Sequence, residues 1–131
     1  MTISFAPRRG TILMCDFGDA RVPPEMEKLR RAVVVSDTTL NHRHGRAPGL
    51  CTVVPFSGTP PHSPRPCDVF IPVGRYRSLT IDVWAKCAML TNVSHERLDR
   101  IQTVGGYRNT EDLNAEDMLA LEDALRSVLR L

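Results

Sequence analysis

Val33, Val34 and Val35 stand together in "PEMEKLRRAVVVSD", residues 24 to 37. Successive side chains of a strand point to opposite faces, so consecutive β-branched apolar residues need a strand buried on both sides. That condition is met inside a small closed or nearly closed barrel, and it constrains the fold more than any other stretch. The same run is preceded by Glu25, Glu27, Lys28, Arg30 and Arg31. Two adjacent arginines at a strand entrance either solubilise it or face something negatively charged.

Four further segments have the composition of strands: "TILMCDF" (11–17), "LCTVVPFS" (50–57), "CDVFIPV" (67–73) and "DVWAKCAMLTNV" (82–93). With "AVVVSD" (32–37) they are rich in Val, Ile, Phe and Thr and are bounded by Gly, Pro, Asn or Asp. Two long polar connections separate them, 38–49 and 58–66. The second, "GTPPHSPRP", carries four prolines and is excluded from a central strand. The tail "LNAEDMLALEDALRSVLRL" changes period: Met118, Leu121, Leu125, Val128 and Leu129 recur at helical spacing. Asn114 is the expected N-cap, Asp117 its capping-box partner, and Leu113 with Met118 a hydrophobic staple. Acidic Glu116 and Asp117 at the start, with Arg126 and Arg130 at the end, suit the helix dipole. The expected fold is mainly β: a small barrel of about five to seven short strands, closed by a helix over about 114–130.

The 131 residues suffice for one domain with a real core, and the net charge of +2 confines any nucleic-acid site to a local patch. No apolar run approaches the roughly 20 residues that span a bilayer. The N-terminus lacks the order of a secretory signal, so a cytoplasmic protein without membrane contact is expected. Cys15, Cys51, Cys67 and Cys87 form no C-x-x-C pair and sit among hydrophobic residues, which favours buried structural thiols over catalysis or metal binding. His42 and His44 flank Arg43, while His62 and His95 stand apart. An H-x-H pair needs further ligands, and none is placed nearby in sequence, so the loop histidines read as solvated and no metal or other cofactor is expected. Phosphate-cradling glycine loops and nucleophile elbows are absent. What remains is a set of polar residues at strand ends: Glu25, Lys28, Arg30, Arg31, Ser57, Thr59 and Asn92. Each alone reads as a solvated rim residue. Together they offer guanidinium forks for phosphate oxygens and hydroxyls for a proton network.

In order along the chain, "RRGTILMCDFG", "PEMEKLRRAVVVSD", "CTVVPFSGTPP" and "AKCAMLTNV" followed by "ERLDRI" resemble the successive motifs of the MazF/PemK toxins. The resemblance runs from residue 8 to about 103. It implies an SH3-like barrel, usually a homodimer, that cuts single-stranded RNA or mRNA without metal. The RNA 2′-hydroxyl would attack the adjacent phosphorus and leave a cyclic phosphate, and a cognate antitoxin protein would block the RNA groove. The family's key arginine falls on Arg30, its strand-end Thr or Ser on Ser57, and its loop glutamate on Glu25. Arg30 and Ser57 are therefore the candidate catalytic residues, with Glu25, Lys28, Arg31, Thr59 and Asn92 as candidate substrate-binding residues. Arg31 replaces the family's proline, and Thr91-Asn92 replaces its Asp-Gln pair. The missing carboxylate leaves an alternative open: a non-catalytic module that binds RNA or protein on the same barrel.

Overall fold

The computed structural model describes residues 2–18, 28–102 and 110–131. Its strands are β1 (Thr11–Asp16), β2 (Leu29–Val34), β3 (Leu50–Ser57), β4 (Asp68–Ile71), β5 (Val83–Lys86), β6 (Thr91–Ser94), β7 (Leu98–Asp99) and β8 (Glu111–Asp112), followed by helix α1 (Ala115–Leu129). They form a curled antiparallel sheet in the order β4-β5-β3-β2-β1-β7, with β6 also on β3 and β8 also on β1. The expected small barrel with a C-terminal helix is what the chain builds. The extra strands beyond the expected number include β7 and β8, two residues each, too short to leave a sequence signature.

The valine run is buried on both sides. Val33 joins a core with Ile12, Val54, Phe56, Ile71, Leu121 and Ala124, between the sheet and α1. Ala32 and Val34 join a second core with Leu13, Cys15, Phe17, Val53, Val93 and Leu98, inside the curl. The strand itself begins earlier than the sequence suggests, at Leu29 rather than residue 32, and ends at Val34. Pairing to β1 runs from Leu29↔Asp16 to Val33↔Ile12, so Arg30 and Arg31 lie within the ladder and not at its entrance. At the far end the Val35 and Ser36 amides donate to Thr52 O, and Asp37 caps a single 3-10 turn.

The segment 82–93, expected as one strand, is two. One edge of β3 pairs first with β6, from Leu50↔Ser94 to Val53↔Thr91, and then with β5 at Phe56↔Ala85 and Ser57↔Trp84. Carrying the β6 register forward would set Phe56 against Ala88. Three residues are instead taken up in a 3-10 turn at Cys87–Met89. Pro55, which has no N–H to give, sits in the gap where β3 changes neighbours.

Helix α1 begins as expected, with Asn114 Oδ1 accepting from the Asp117 amide at 2.8 Å. The reciprocal half of a capping box is not formed. Asp117 is buried and takes the Tyr76 hydroxyl at 2.6 Å and Arg75 Nη1 at 2.8 Å. Tyr76 Oη accepts the Asn114 amide at 2.9 Å in its stead. This network pins the helix to the β4–β5 connection. Burial and the adjacent Asp117 carboxylate push the Tyr76 pKa up to about 12, so the phenol keeps its proton. Leu113 and Met118 pack on the same core, as the staple predicts. No helix among the described residues is long and apolar enough to cross a membrane.

His95 departs from the solvated histidines expected of loops, for it is fully buried. Its Nδ1 accepts the Gly49 amide at 3.1 Å and lies 3.4 Å from Arg43 Nη1, which anchors the 38–49 connection to the barrel. Gly49 is required there: a Cβ would lie 2.0 Å from the His42 carbonyl oxygen. Burial, followed by the charge of Arg43, holds the imidazole below its ordinary pKa, with a smaller contribution from His42. A depressed histidine pKa means that the unfolded chain binds the proton first. Stability contributed by neutral His95 is present above the unfolded value of about 6.5 and is lost as pH falls below it. The urea midpoint should therefore drop between pH 7.5 and 5.5, with a shallower drop in His95→Gln. An equal drop in the variant would contradict a buried neutral imidazole.

Candidate functional site

Alternation along β2 sends Arg30 to the face of Ala32 and Val34, and Arg31 to the face of Val33. On β3 the same rule puts Ser57 on the face opposite Phe56. The β2–β3 ladder runs from Val34↔Val53 to Ala32↔Pro55 and ends there. Arg30 and Ser57, the two residues assigned to catalysis from the sequence, lie two residues beyond that last pair and, by alternation, on the same face at the open end of the central strand pair.

Ser57 Oγ accepts the Thr59 amide at 3.2 Å, a local turn that fixes the hydroxyl oxygen and leaves its proton to be donated. Gly58, between them, packs against Ile81, whose Cδ1 would lie 2.6 Å from an added Cβ and would have to swing aside. Arg30, Arg31, Phe56, Gly58, Ile81 and Val83 border a shallow cavity of about 140 Å³. A larger cavity of about 400 Å³, bordered by Phe5, Arg8, Thr11 and Arg100, lies at the other end of β1 and contains none of the candidate residues.

Arg31 is half-buried, and its Nε is buried without a hydrogen-bond partner among the described residues. A buried donor left unsatisfied costs about 1–3 kcal/mol. Lys28 is exposed at the entry to β2 with a φ of 76°, unusual for a residue with a side chain, and its carbonyl accepts the Phe17 amide at 2.9 Å. Thr59 is exposed beside Ser57. Asn92 is not brought to this end. It pairs with Thr52, five residues back along β3, roughly 17 Å at the usual strand rise. Glu25 lies outside the described residues.

The chain as a whole matches the family described as PemK-like, MazF-like toxin of type II toxin-antitoxin system, over residues 8–129. It belongs to that family. Among its relatives is the protein YifN of Escherichia coli (strain K12), 32% identical over 130 residues, with 83% of each chain covered. Among solved structures it is similar to MazF from Deinococcus radiodurans, with a TM-score of 0.71 and 17% identity over 97% of this chain and 99% of that one. It is also similar to an endoribonuclease in complex with its cognate antitoxin from a mycobacterial species, with a TM-score of 0.64 and 18% identity over 96% and 97%. At these identities the structural likeness speaks for the fold.

Other chemistries find little support in the geometry. Among the described residues no group of three or more His, Cys, Asp or Glu side chains is placed to hold a metal ion. All four cysteines are free; Cys15, Cys51 and Cys87 are buried, and Cys67 is partly so. Burial pushes the thiols of Cys51 and Cys87 up to about 11 and about 12, which removes the thiolate a nucleophile needs. Ellman's reagent at pH 7.5 should accordingly modify no more than one thiol, Cys67, before denaturant is added. Rapid labelling of two or more in the folded protein would contradict this burial.

Proposed function

We propose that this protein is a metal-independent endoribonuclease, the toxin of a toxin–antitoxin pair, that cuts single-stranded RNA by attack of a 2′-hydroxyl. What supports the reading is that Arg30 and Ser57 share a face at the open end of β2 and β3, in a chain of this family. The 2′-oxygen forms a bond to the adjacent phosphorus as its proton passes to a solvent water. The bond from phosphorus to the 5′-oxygen then breaks, and that oxygen takes up a proton returned from solvent. Products are a 2′,3′-cyclic phosphate and a 5′-hydroxyl.

Negative charge builds on the non-bridging oxygens in the transition state. A guanidinium stays protonated at any ordinary pH, so Arg30 supplies charge and donors to those oxygens and not a base. Ser57, its oxygen fixed by the Thr59 amide, donates its proton to the scissile phosphate and orients it. Lys28 and Arg31 add positive charge at the same strand end. The Nε of Arg31, buried and without a partner among the described residues, is compatible with this assignment. Asn92, remote from this end, has no part in the step.

Arg30→Ala should slow single-turnover cleavage at saturating RNA by about 100- to 1,000-fold, the usual loss for one preorganised donor. Ser57→Ala should be milder. Arg31→Ala should weaken RNA binding in a salt-dependent way and leave the chemical step nearly unchanged. Chelator should leave cleavage intact. Activity lost in chelator and restored by zinc or manganese would overturn the metal-independent reading, and full activity in Arg30→Ala would overturn the site.

The active form we propose is a homodimer, and a cognate antitoxin is its protein partner. That endoribonuclease structure and MazE-MazF from Deinococcus radiodurans contain a toxin with its antitoxin, which supports such a partner here. Light scattering at micromolar concentration should give about twice the 14.6 kDa chain mass. A monomer at that concentration would contradict the dimer.

A further inference from the structure

The row that holds Ser57 does not end there. Ser57 pairs with Trp84 on β5, and Trp84 pairs with Phe70 on β4. Val83 and Ala85, the neighbours of Trp84 along β5, are buried in the core beneath α1, as is Ile71 beside Phe70. Trp84 and Phe70 therefore stand on the opposite face, the face of Ser57 and Arg30. Their rings are 5.1 Å apart between centroids and inclined by 40°, and Phe70 remains 48% exposed. At the usual strand spacing the Trp84 backbone is one strand, roughly 5 Å, from that of Ser57, and the Phe70 backbone is two. The next pair along, Asp68 and Lys86, is joined at 3.1 Å, and Arg65 also binds Asp68, so the shelf has a fixed polar border.

We propose that Trp84 and Phe70 form a stacking shelf for a nucleobase of the single-stranded RNA whose phosphate is held at Arg30 and Ser57. This rests on the ribonuclease reading and deepens it by placing a base beside the scissile phosphate. An exposed aromatic pair alone would fit many ligands. Continuity with Ser57 through the strand register, and the cations Lys28, Arg30 and Arg31 at the same strand end, select a polyanion carrying flat rings. Cationic grooves interleaved with aromatic side chains bind single-stranded nucleic acid, because every base offers a face to stack while the backbone is neutralised alongside. The shelf makes no base-edge contact, so it contributes affinity and register for the strand and little sequence preference.

Trp84 is the one tryptophan in the sequence, so its emission reports the shelf directly. The probe is a 2′-O-methyl single-stranded oligonucleotide, which has no free 2′-hydroxyl and is not cut. A matched oligomer with abasic sites serves as the control. Base stacking should quench Trp84 emission with the 2′-O-methyl oligomer and not with the abasic one. Trp84→Ala should weaken binding by about 5- to 150-fold, while Trp84→Phe should stay within a few-fold of the parent. Cleavage at subsaturating RNA should fall in Trp84→Ala in step with its loss of affinity.

Binding without quenching, together with unchanged affinity in Trp84→Ala, would overturn the shelf while leaving the ribonuclease reading in place. Quenching by a purified antitoxin but not by the oligonucleotide would overturn it in favour of a protein contact. Quenching by the oligonucleotide in a protein that cuts no RNA would uphold the shelf and remove the cleavage reading.

Discussion

The exchange of neighbours along β3 is the constraint on which the rest of the structure depends. One strand of eight residues serves β6 with its first half and β5 with its second, while β2 accompanies it on the other edge. Pro55 occupies the junction, where an interior strand would otherwise be left with an unpaired amide. The exchange curls the sheet, encloses one core on its concave side and leaves the other to be covered by α1. It also carries Ser57 beyond the last recorded pair with β2 and into line with Trp84. A straight β3 would keep one partner, bury a single core and place no hydroxyl at an open strand end.

Two polar clusters hold the connections around that frame, and each has a buried centre: Asp117 with Tyr76 in one, His95 in the other. The Asp117 carboxylate, Tyr76 hydroxyl and Arg75 guanidinium tie the helix start to the β4–β5 connection, with each hydrogen bond at 2.6 to 2.8 Å. Charge-assisted bonds of this length are among the stronger ones, and removing a partner would strand a buried carboxylate. The His95 imidazole does a similar job for the 38–49 connection by taking the Gly49 amide. Its Nε2 has no partner among the described residues, and neither has the Nε of Arg31. The first sits behind a loop anchor and the second borders the candidate site.

Much of the fold was legible because its signals are local. Strand-forming residues bounded by turn residues marked β1 and β3, the period change marked α1, and Asn114 caps the helix as its position suggested. Other features depend on partners distant in sequence. The split of 82–93 follows from the bend in β3, and Asp117 leaves its capping role for Tyr76, 41 residues away. The early start of β2 follows from its pairing with β1, which local hydrophobicity does not reveal when the paired residues are arginines. His95 looked like a loop histidine because only the incoming Gly49 amide makes its burial tolerable. Within the site, Arg30 and Ser57 were suggested by family resemblance, and their shared face follows from alternation along β2 and β3. Asn92 was grouped with them by polarity at a strand end and lies on β6 opposite Thr52, five residues before Ser57 along β3. Trp84 and Phe70 were passed over as strand-formers, since only cross-strand pairing sets them beside Ser57.

The central claim is that this barrel end directs an RNA 2′-hydroxyl onto its own phosphate. End-group analysis tests it most directly: RNA cut by the purified protein in chelator is resolved by mass spectrometry for the chemistry of its new termini. Fragments ending in 2′,3′-cyclic phosphate, with 5′-hydroxyl partners, and no cut where a single 2′-deoxy residue precedes the scissile phosphate, are the predicted result. Fragments with 3′-hydroxyl and 5′-phosphate ends, or cleavage that ignores the 2′-deoxy substitution, would contradict the account.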